Sequence, residues 1–139
     1  MDVTLHHDDI NFRSLTQIIA LLHAAKEAAP FRNPVDYIAL GLTNYPIVVR
    51  KMMDLSTLSN NLQCDRYERA RDCLEDLQLI WDNCKLFNEQ GSHIYNNCCK
   101  LEAYSGRLIE SAFEEPFSPK TLYEPSSSAQ DWFVVPSDG

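Results

Sequence analysis

Apolar side chains recur at helical spacing in four segments of the chain. The segments run from Phe12 to Ala28, from Leu55 to about Gln63, from Glu68 to Phe87 and from about His93 to Phe113. In each of them apolar residues return every three or four positions, which places them on one face of a helix. The longest series consists of Ala70, Cys73, Leu74, Leu77, Ile80, Trp81, Cys84 and Phe87. The pattern predicts four amphipathic helices.

Capping residues and proline place the ends of these helices. Asp8, Asp9 and Asn11 precede the first segment and Asp54 precedes the second, where short polar side chains cap free backbone N–H groups. Pro30 is expected to end the first helix, because the residue before a proline is driven out of the helical region. A turn is expected at residues 64–66.

Residues 30–54 have no sustained periodicity and contain prolines at 34 and 46. The many apolar side chains of this segment are unsuited to a solvated linker, and long irregular segments inside compact domains are usually functional. We expect an all-α fold, an antiparallel, left-handed four-helix bundle with this long loop between its first two helices. The loop should cap one end of the bundle and leave a pocket between itself and residues 88–92.

Composition and charge narrow the possible functions. The 139 residues include 12 Lys and Arg against 20 Asp and Glu, giving a net charge of −8. So acidic a chain is poorly suited to nucleic acid and suited to basic partners. No apolar run is long enough for a transmembrane helix, and the N-terminus does not have the pattern of a secretory signal. Five cysteines without a C-x-x-C spacing predict reduced thiols and no metal site or cofactor.

Several short motifs follow one another in an order that is typical of one family. They are Ala29-Pro30-Phe31, Pro34-Val35-Asp36, Tyr45, Met52-Met53-Asp54 and Asn83-Cys84-Lys85-Leu86-Phe87-Asn88. From about Phe12 to Phe113 the chain resembles a bromodomain, a module that reads acetylated lysine. The resemblance covers roughly 100 residues, and it is specific because of the order and spacing of the motifs together.

The resemblance implies a set of binding residues. Asn88 would donate its side-chain amide to the acetyl carbonyl, and Tyr45 would reach the same oxygen through an ordered water. Ile94 would be the gatekeeper beside the acetyl group. The remaining acetyl-lysine-binding residues would be Pro30, Phe31, Val35, Leu40, Leu42 and Phe87.

Other roles for the same residues stay open at this point. Asn88 also suits the end of a helix, since asparagine tolerates the left-handed conformation there. Tyr45 also suits a packed core, and Asn83 is expected to hold loop backbone rather than to touch a ligand. The chain departs from the family pattern at Ala29, where a tryptophan is usual, at Met52, where a proline is usual, and at Phe87, where a tyrosine is usual.

The expected function is non-catalytic recognition of acetylated lysine on histone or other basic protein tails, in the nucleus and in chromatin or transcription regulation. The alternative is a bromodomain-like interaction scaffold that has lost this binding. No nucleic acid or membrane contact is expected of this monomeric domain of a larger protein or complex. The expected division is an extension over 1–11, the domain over 12–113 and an acidic tail over 114–139, in which Trp132-Phe133-Val134-Val135 would dock on the domain or on a partner.

Overall fold

A computed structural model describes residues 11–114, which form helices and loops without a strand. The elements in chain order are α1 (Phe12–Ala24), a 3-10 helix (Lys26–Phe31), the short α2 (Tyr45–Val48), α3 (Leu55–Gln63), α4 (Ala70–Phe87) and α5 (His93–Glu114). None of the helices in this part of the chain has the length and apolar character needed to cross a membrane.

The four long helices pack as a bundle around one core. Helix α1 contacts α3 and α5, helix α4 contacts the same two helices from the other side, and α1 also reaches α4. The core is built from the apolar stripes that the sequence predicts. Its fully buried members include Leu15, Ile18, Leu22, Leu55, Leu58, Cys73, Trp81, Cys98 and Leu101. The prediction of an all-α four-helix bundle is therefore confirmed.

Helix α1 begins as expected but ends earlier. The side-chain oxygen of Asn11 accepts the backbone N–H of Ser14 at 2.7 Å, which satisfies one of the free donors of the first turn. The predicted end at Ala28 is wrong, because the α-helix stops at Ala24 and Pro30 lies inside the 3-10 helix that follows. Arg32 compensates the break, since its guanidinium donates to the carbonyls of His23 at 2.7 Å and Ala25 at 2.8 Å.

Local capping also fixes the starts of α3 and α4. A carboxylate oxygen of Asp54 accepts the backbone N–H of Thr57 at 3.0 Å, as its predicted cap role requires. Helix α4 begins at Ala70, two residues later than predicted, where Asp72 accepts the backbone N–H of Arg69 at 3.2 Å. Between the two helices Asp65 adopts a φ of 54°, so the turn predicted at residues 64–66 is confirmed.

The loop over residues 30–54 packs on the bundle only in part. Phe31 and Val49 are buried, and the ring of Phe31 meets Trp81 edge to face at 5.7 Å between centroids. Ile38 and Ile47, in contrast, are 80% and 75% exposed. The loop does fold back onto the helices, but several of its apolar side chains face solvent.

Several predictions fall at least partly outside the described residues, among them the extension over 1–11. Asp8 and Asp9 precede them, and the acidic tail with Trp132-Phe133-Val134-Val135 follows them almost entirely. The domain boundaries at 12 and 113 stay a prediction.

A pair of leucine substitutions tests the core. Leu58→Ala should lower the free energy of unfolding by about 2–5 kcal/mol, because Leu58 is fully buried and its loss leaves a cavity. Leu86→Ala is the matched control, with an expected change within about 0.5 kcal/mol, since Leu86 is 63% exposed. Urea denaturation measures both, and equal losses would contradict this assignment of the core.

Candidate functional site

A cavity of about 280 Å³ lies at the end of the bundle where the long loop approaches the start of α5. Its wall is formed mainly by the loop on one side and by the last turns of α4 on the other. The structure brings every predicted binding residue to this wall. These residues are Pro30, Phe31, Val35, Leu40, Leu42, Tyr45, Phe87, Asn88 and Ile94.

Helix α4 contributes wall residues that the prediction of the binding set missed. Ile80 and Cys84 precede Asn88 by eight and four positions, so all three lie on one face of the helix and line the cavity. This spacing is visible in the sequence and would have found them. Met53 and Asp36 also line the cavity, and both belong to motifs that the resemblance quotes.

Asn88 follows the last residue of α4, and its side chain folds back onto the helix end. Its side-chain Nδ2 donates to the carbonyl of Cys84 at 2.9 Å, beside a bond from its own backbone N–H to the same carbonyl at 3.0 Å. Nδ2 also lies 3.6 Å from the Cys84 sulfur, a weak acceptor. A ligand carbonyl is a stronger acceptor than this sulfur for the second amide hydrogen. Asn88 does end the helix, as the alternative interpretation had it, but in an extended and not a left-handed conformation, with φ −101° and ψ 151°.

Tyr45 is buried between two other aromatic rings in the wall of the cavity. It stacks with Tyr37 at 6.0 Å between centroids and meets Phe87 edge to face at 4.8 Å. Its backbone carbonyl accepts the N–H of Val49 at 2.8 Å, which fixes the first residue of α2. Burial, and to a lesser degree the nearby Cys84 thiol, raises the pKa of the Tyr45 phenol above its ordinary value. The phenol is therefore neutral, and a hydrogen-bond donor, at physiological pH.

Asn83 lines the cavity and also supports the loop. Its side chain is buried and donates to the backbone carbonyl of Lys51 at 2.7 Å. This bond joins α4 to the loop two residues before Met53, and the prediction that Asn83 holds loop backbone is confirmed.

The lining contains no lysine, arginine or histidine and two carboxylates. Asp54 is buried, and its two carboxylate oxygens accept hydrogen bonds from the backbone N–H and the hydroxyl of Thr57. Asp36 is exposed and accepts the N–H of Ala39 at 3.1 Å. Within residues 11–114 no group of three His, Cys, Asp or Glu side chains is arranged to hold a metal ion. The arrangement suits a neutral ligand with one strong acceptor.

Comparison with known proteins agrees with this geometry. The family model described as Bromodomain matches residues 15–100, more than half of the chain. The chain belongs to the bromodomain family. Bromodomains are reader modules for acetylated lysine and not enzymes.

Individual relatives give the same result. The chain is 33% identical over 102 residues to bromodomain-containing factor 1 of Candida albicans, covering 73% of this chain and 13% of that protein. It is 34% identical over 115 residues to transcription factor GTE7 of Arabidopsis thaliana, covering 83% of this chain and 19% of that protein. The chain thus spans less than a fifth of the length of these relatives.

A solved structure matches as well. It is the second bromodomain of Candida albicans Bdf1 bound to an imidazopyridine, with a TM-score of 0.67 and 32% sequence identity. The match covers 78% of this chain and 99% of that one.

The raised pKa of Tyr45 predicts a loss of stability in alkali. Because the folded pKa lies above the unfolded value of 10.0, the contribution of the neutral phenol is complete below that pH and is lost as the pH rises through the folded pKa. Urea denaturation at pH 8 and at a pH above 10 should show a larger fall in unfolding free energy for the wild type than for Tyr45→Phe. Equal falls in the two proteins would refute this effect of burial on the phenol.

Proposed function

We propose that this bromodomain binds acetylated lysine on histone or other basic protein tails, as a non-catalytic module in nuclear chromatin or transcription regulation. The observation that carries the proposal is the anchored amide of Asn88 in the wall of a largely apolar cavity. The family membership supports it, as does the name of one relative, transcription factor GTE7 of Arabidopsis thaliana.

The ligand chemistry fits the wall. Acetylation turns the lysine ammonium into a neutral amide on a four-carbon apolar stem. Val35, Leu42 and Ile94 offer apolar surface to the stem and the methyl group. The acetyl carbonyl would accept the second amide hydrogen of Asn88, and Tyr45 would reach the same oxygen through a water. Few polar groups at defined positions are typical of sites that orient a small ligand.

Discrimination against unmodified lysine follows from charge. An ammonium group in the place of the acetyl group would face the amide hydrogens of Asn88, and Asp54, the buried carboxylate of the lining, already accepts two hydrogen bonds from Thr57. Burying a charge beside an amide is costly, so discrimination comes from rejecting the charge as much as from binding the acetyl group. The net charge of −8 attracts a basic tail at long range and acts mainly on the association rate.

The departures from the family pattern reduce the surface that a ligand can contact at the mouth of the cavity, and they leave the side chain of Asn88 unchanged. Ala29 and Pro30 are exposed at the cavity edge, where the family's tryptophan would add a flat wall. Phe87 has no hydroxyl but still packs on Tyr45. We expect dissociation constants in the micromolar to millimolar range, roughly −8 to −4 kcal/mol.

The scaffold alternative draws on a different observation. Ile38 and Ile47 are exposed apolar side chains on the loop, and such residues suit contacts with another protein. A scaffold would bind a partner without regard to lysine acetylation. Paired acetylated and unmodified peptides therefore separate the two functions.

Removal of the Asn88 side-chain amide tests the proposal most simply. Asn88→Ala should weaken binding of an acetylated histone-tail peptide by about 1–3 kcal/mol, because the acetyl carbonyl loses its direct donor. Isothermal titration or NMR titration measures the affinity. The unmodified peptide of the same sequence should bind neither protein measurably.

Asn60→Ala is the matched control, since Asn60 is exposed on α3 and does not line the cavity. It should leave the affinity unchanged. An unaltered affinity in a folded Asn88→Ala protein would remove the assigned role of Asn88. Equal binding of the acetylated and unmodified peptides by the wild type would favour the scaffold.

Tyr45→Phe should weaken binding less than Asn88→Ala does, because it disturbs a contact made through water. The ring that packs on Tyr37 and Phe87 is kept in this variant, so the wall of the cavity is preserved. The same titration provides the comparison. Abolished binding in Tyr45→Phe together with intact binding in Asn88→Ala would reverse the two assigned roles.

A further inference from the structure

Lys51 is tied to helix α4 at two separate atoms. Its backbone carbonyl accepts the side-chain amide of Asn83 at 2.7 Å, and its Nζ lies 2.9 Å from a carboxylate oxygen of Asp76. Asp76 and Asn83 are seven positions apart, two turns along one face of α4. One loop residue is thus held by two side chains of the same helix.

Asp76 is itself held in place. Its second carboxylate oxygen accepts the hydroxyl of Tyr67 at 2.8 Å, and that hydroxyl accepts the side-chain amide of Asn61 at 3.1 Å. The Asp76 side chain is 12% exposed, whereas that of Lys51 is 66% exposed. The ion pair therefore joins the long, exposed side chain of Lys51 to a mostly buried carboxylate that is held by Tyr67.

The position of Lys51 along the loop gives this pair a functional meaning. Lys51 lies two residues after the buried Val49 and two residues before Met53. The backbone N–H of Val49 donates to the carbonyl of Tyr45. Tyr45 and Met53 both line the cavity, on either side of Lys51 in the chain. A shift of the segment 45–53 away from α4 would displace both of these wall residues.

We propose that Lys51 is a positioning residue of the cavity: its ion pair with Asp76 holds the loop segment that carries Tyr45 and Met53 in the binding geometry. The inference rests on the proposed function for its effect on ligand affinity. Its effect on the loop itself is independent of any ligand. The charge, not the bulk of the side chain, does the positioning, because Nζ is the side-chain atom that meets α4.

The experiment uses a ligand without net charge, Nε-acetyl-lysine blocked at both ends, so that long-range attraction between ligand and protein is absent. NMR titrations of the wild type, Lys51→Met, Lys51→Arg and the control Lys100→Met are run at about 0.01 M and about 1 M salt, where the Debye length falls from about 30 to about 3 Å. Hydrogen exchange of the unliganded proteins follows the backbone amides of residues 47–49, which are bonded within the loop.

At low salt Lys51→Met should bind about two- to fivefold more weakly than the wild type, as the loss of a half-exposed ion pair predicts. Lys51→Arg should restore the affinity, and Lys100→Met should leave it unchanged. High salt should bring the wild type towards Lys51→Met. Exchange at residues 47–49 should be faster in Lys51→Met than in the wild type.

Unchanged exchange in Lys51→Met, or a loss of affinity that Lys51→Arg does not reverse, would overturn the positioning role. A wild type that does not bind the blocked acetyl-lysine or an acetylated peptide would instead overturn the proposed function. In that case the exchange rates alone decide whether Lys51 holds the loop.

Discussion

The hydrogen bond from the side chain of Asn88 to the carbonyl of Cys84 is the contact on which the chemistry of the cavity depends. A free asparagine side chain samples several rotamers, and ordering it on binding would reduce the affinity. Here the end of α4 orders it in advance, because the carbonyl of Cys84 accepts the side-chain amide of Asn88 in addition to the helical bond from the Asn88 backbone N–H. Asn88 therefore ends the helix with its backbone N–H and holds its side-chain amide in the wall of the cavity.

The rest of the site consists of irregular backbone that must be held against regular helices. Loops leave backbone N–H and C=O groups without partners in regular secondary structure, and side chains supply the missing hydrogen bonds. Each such bond stabilises the fold by about 0.5–1.5 kcal/mol. Arg32 satisfies the carbonyls that end α1, and Asn83 satisfies that of Lys51. The loop is also joined to α3, since Ser56 donates its backbone N–H to the carbonyl of Arg32 at 3.0 Å. Fixed at both ends, the loop keeps Tyr45 against Phe87, the residue before Asn88.

The sequence predicts the parts of this structure that depend on local spacing. The stripes of α1 and α4 identify the core, and Asn11 and Asp54 identify two helix starts, because capping involves residues three apart. The end of α1 was not predictable in this way, since a carbonyl left free at that end is satisfied by Arg32, nine residues beyond His23. The exposure of Ile38 also escaped prediction, because burial of a loop residue depends on the path of the whole loop.

The central claim is that one amide hydrogen of Asn88 is available to a ligand while the other is bonded to the helix. An NMR titration can follow the two side-chain amide protons of Asn88 separately, with their signals assigned by their absence from the Asn88→Asp spectrum. On addition of an acetylated histone-tail peptide, one of the two signals should shift strongly, and the unmodified peptide should move neither. Two unmoved signals at saturating acetylated peptide, or equal shifts with both peptides, would contradict the account.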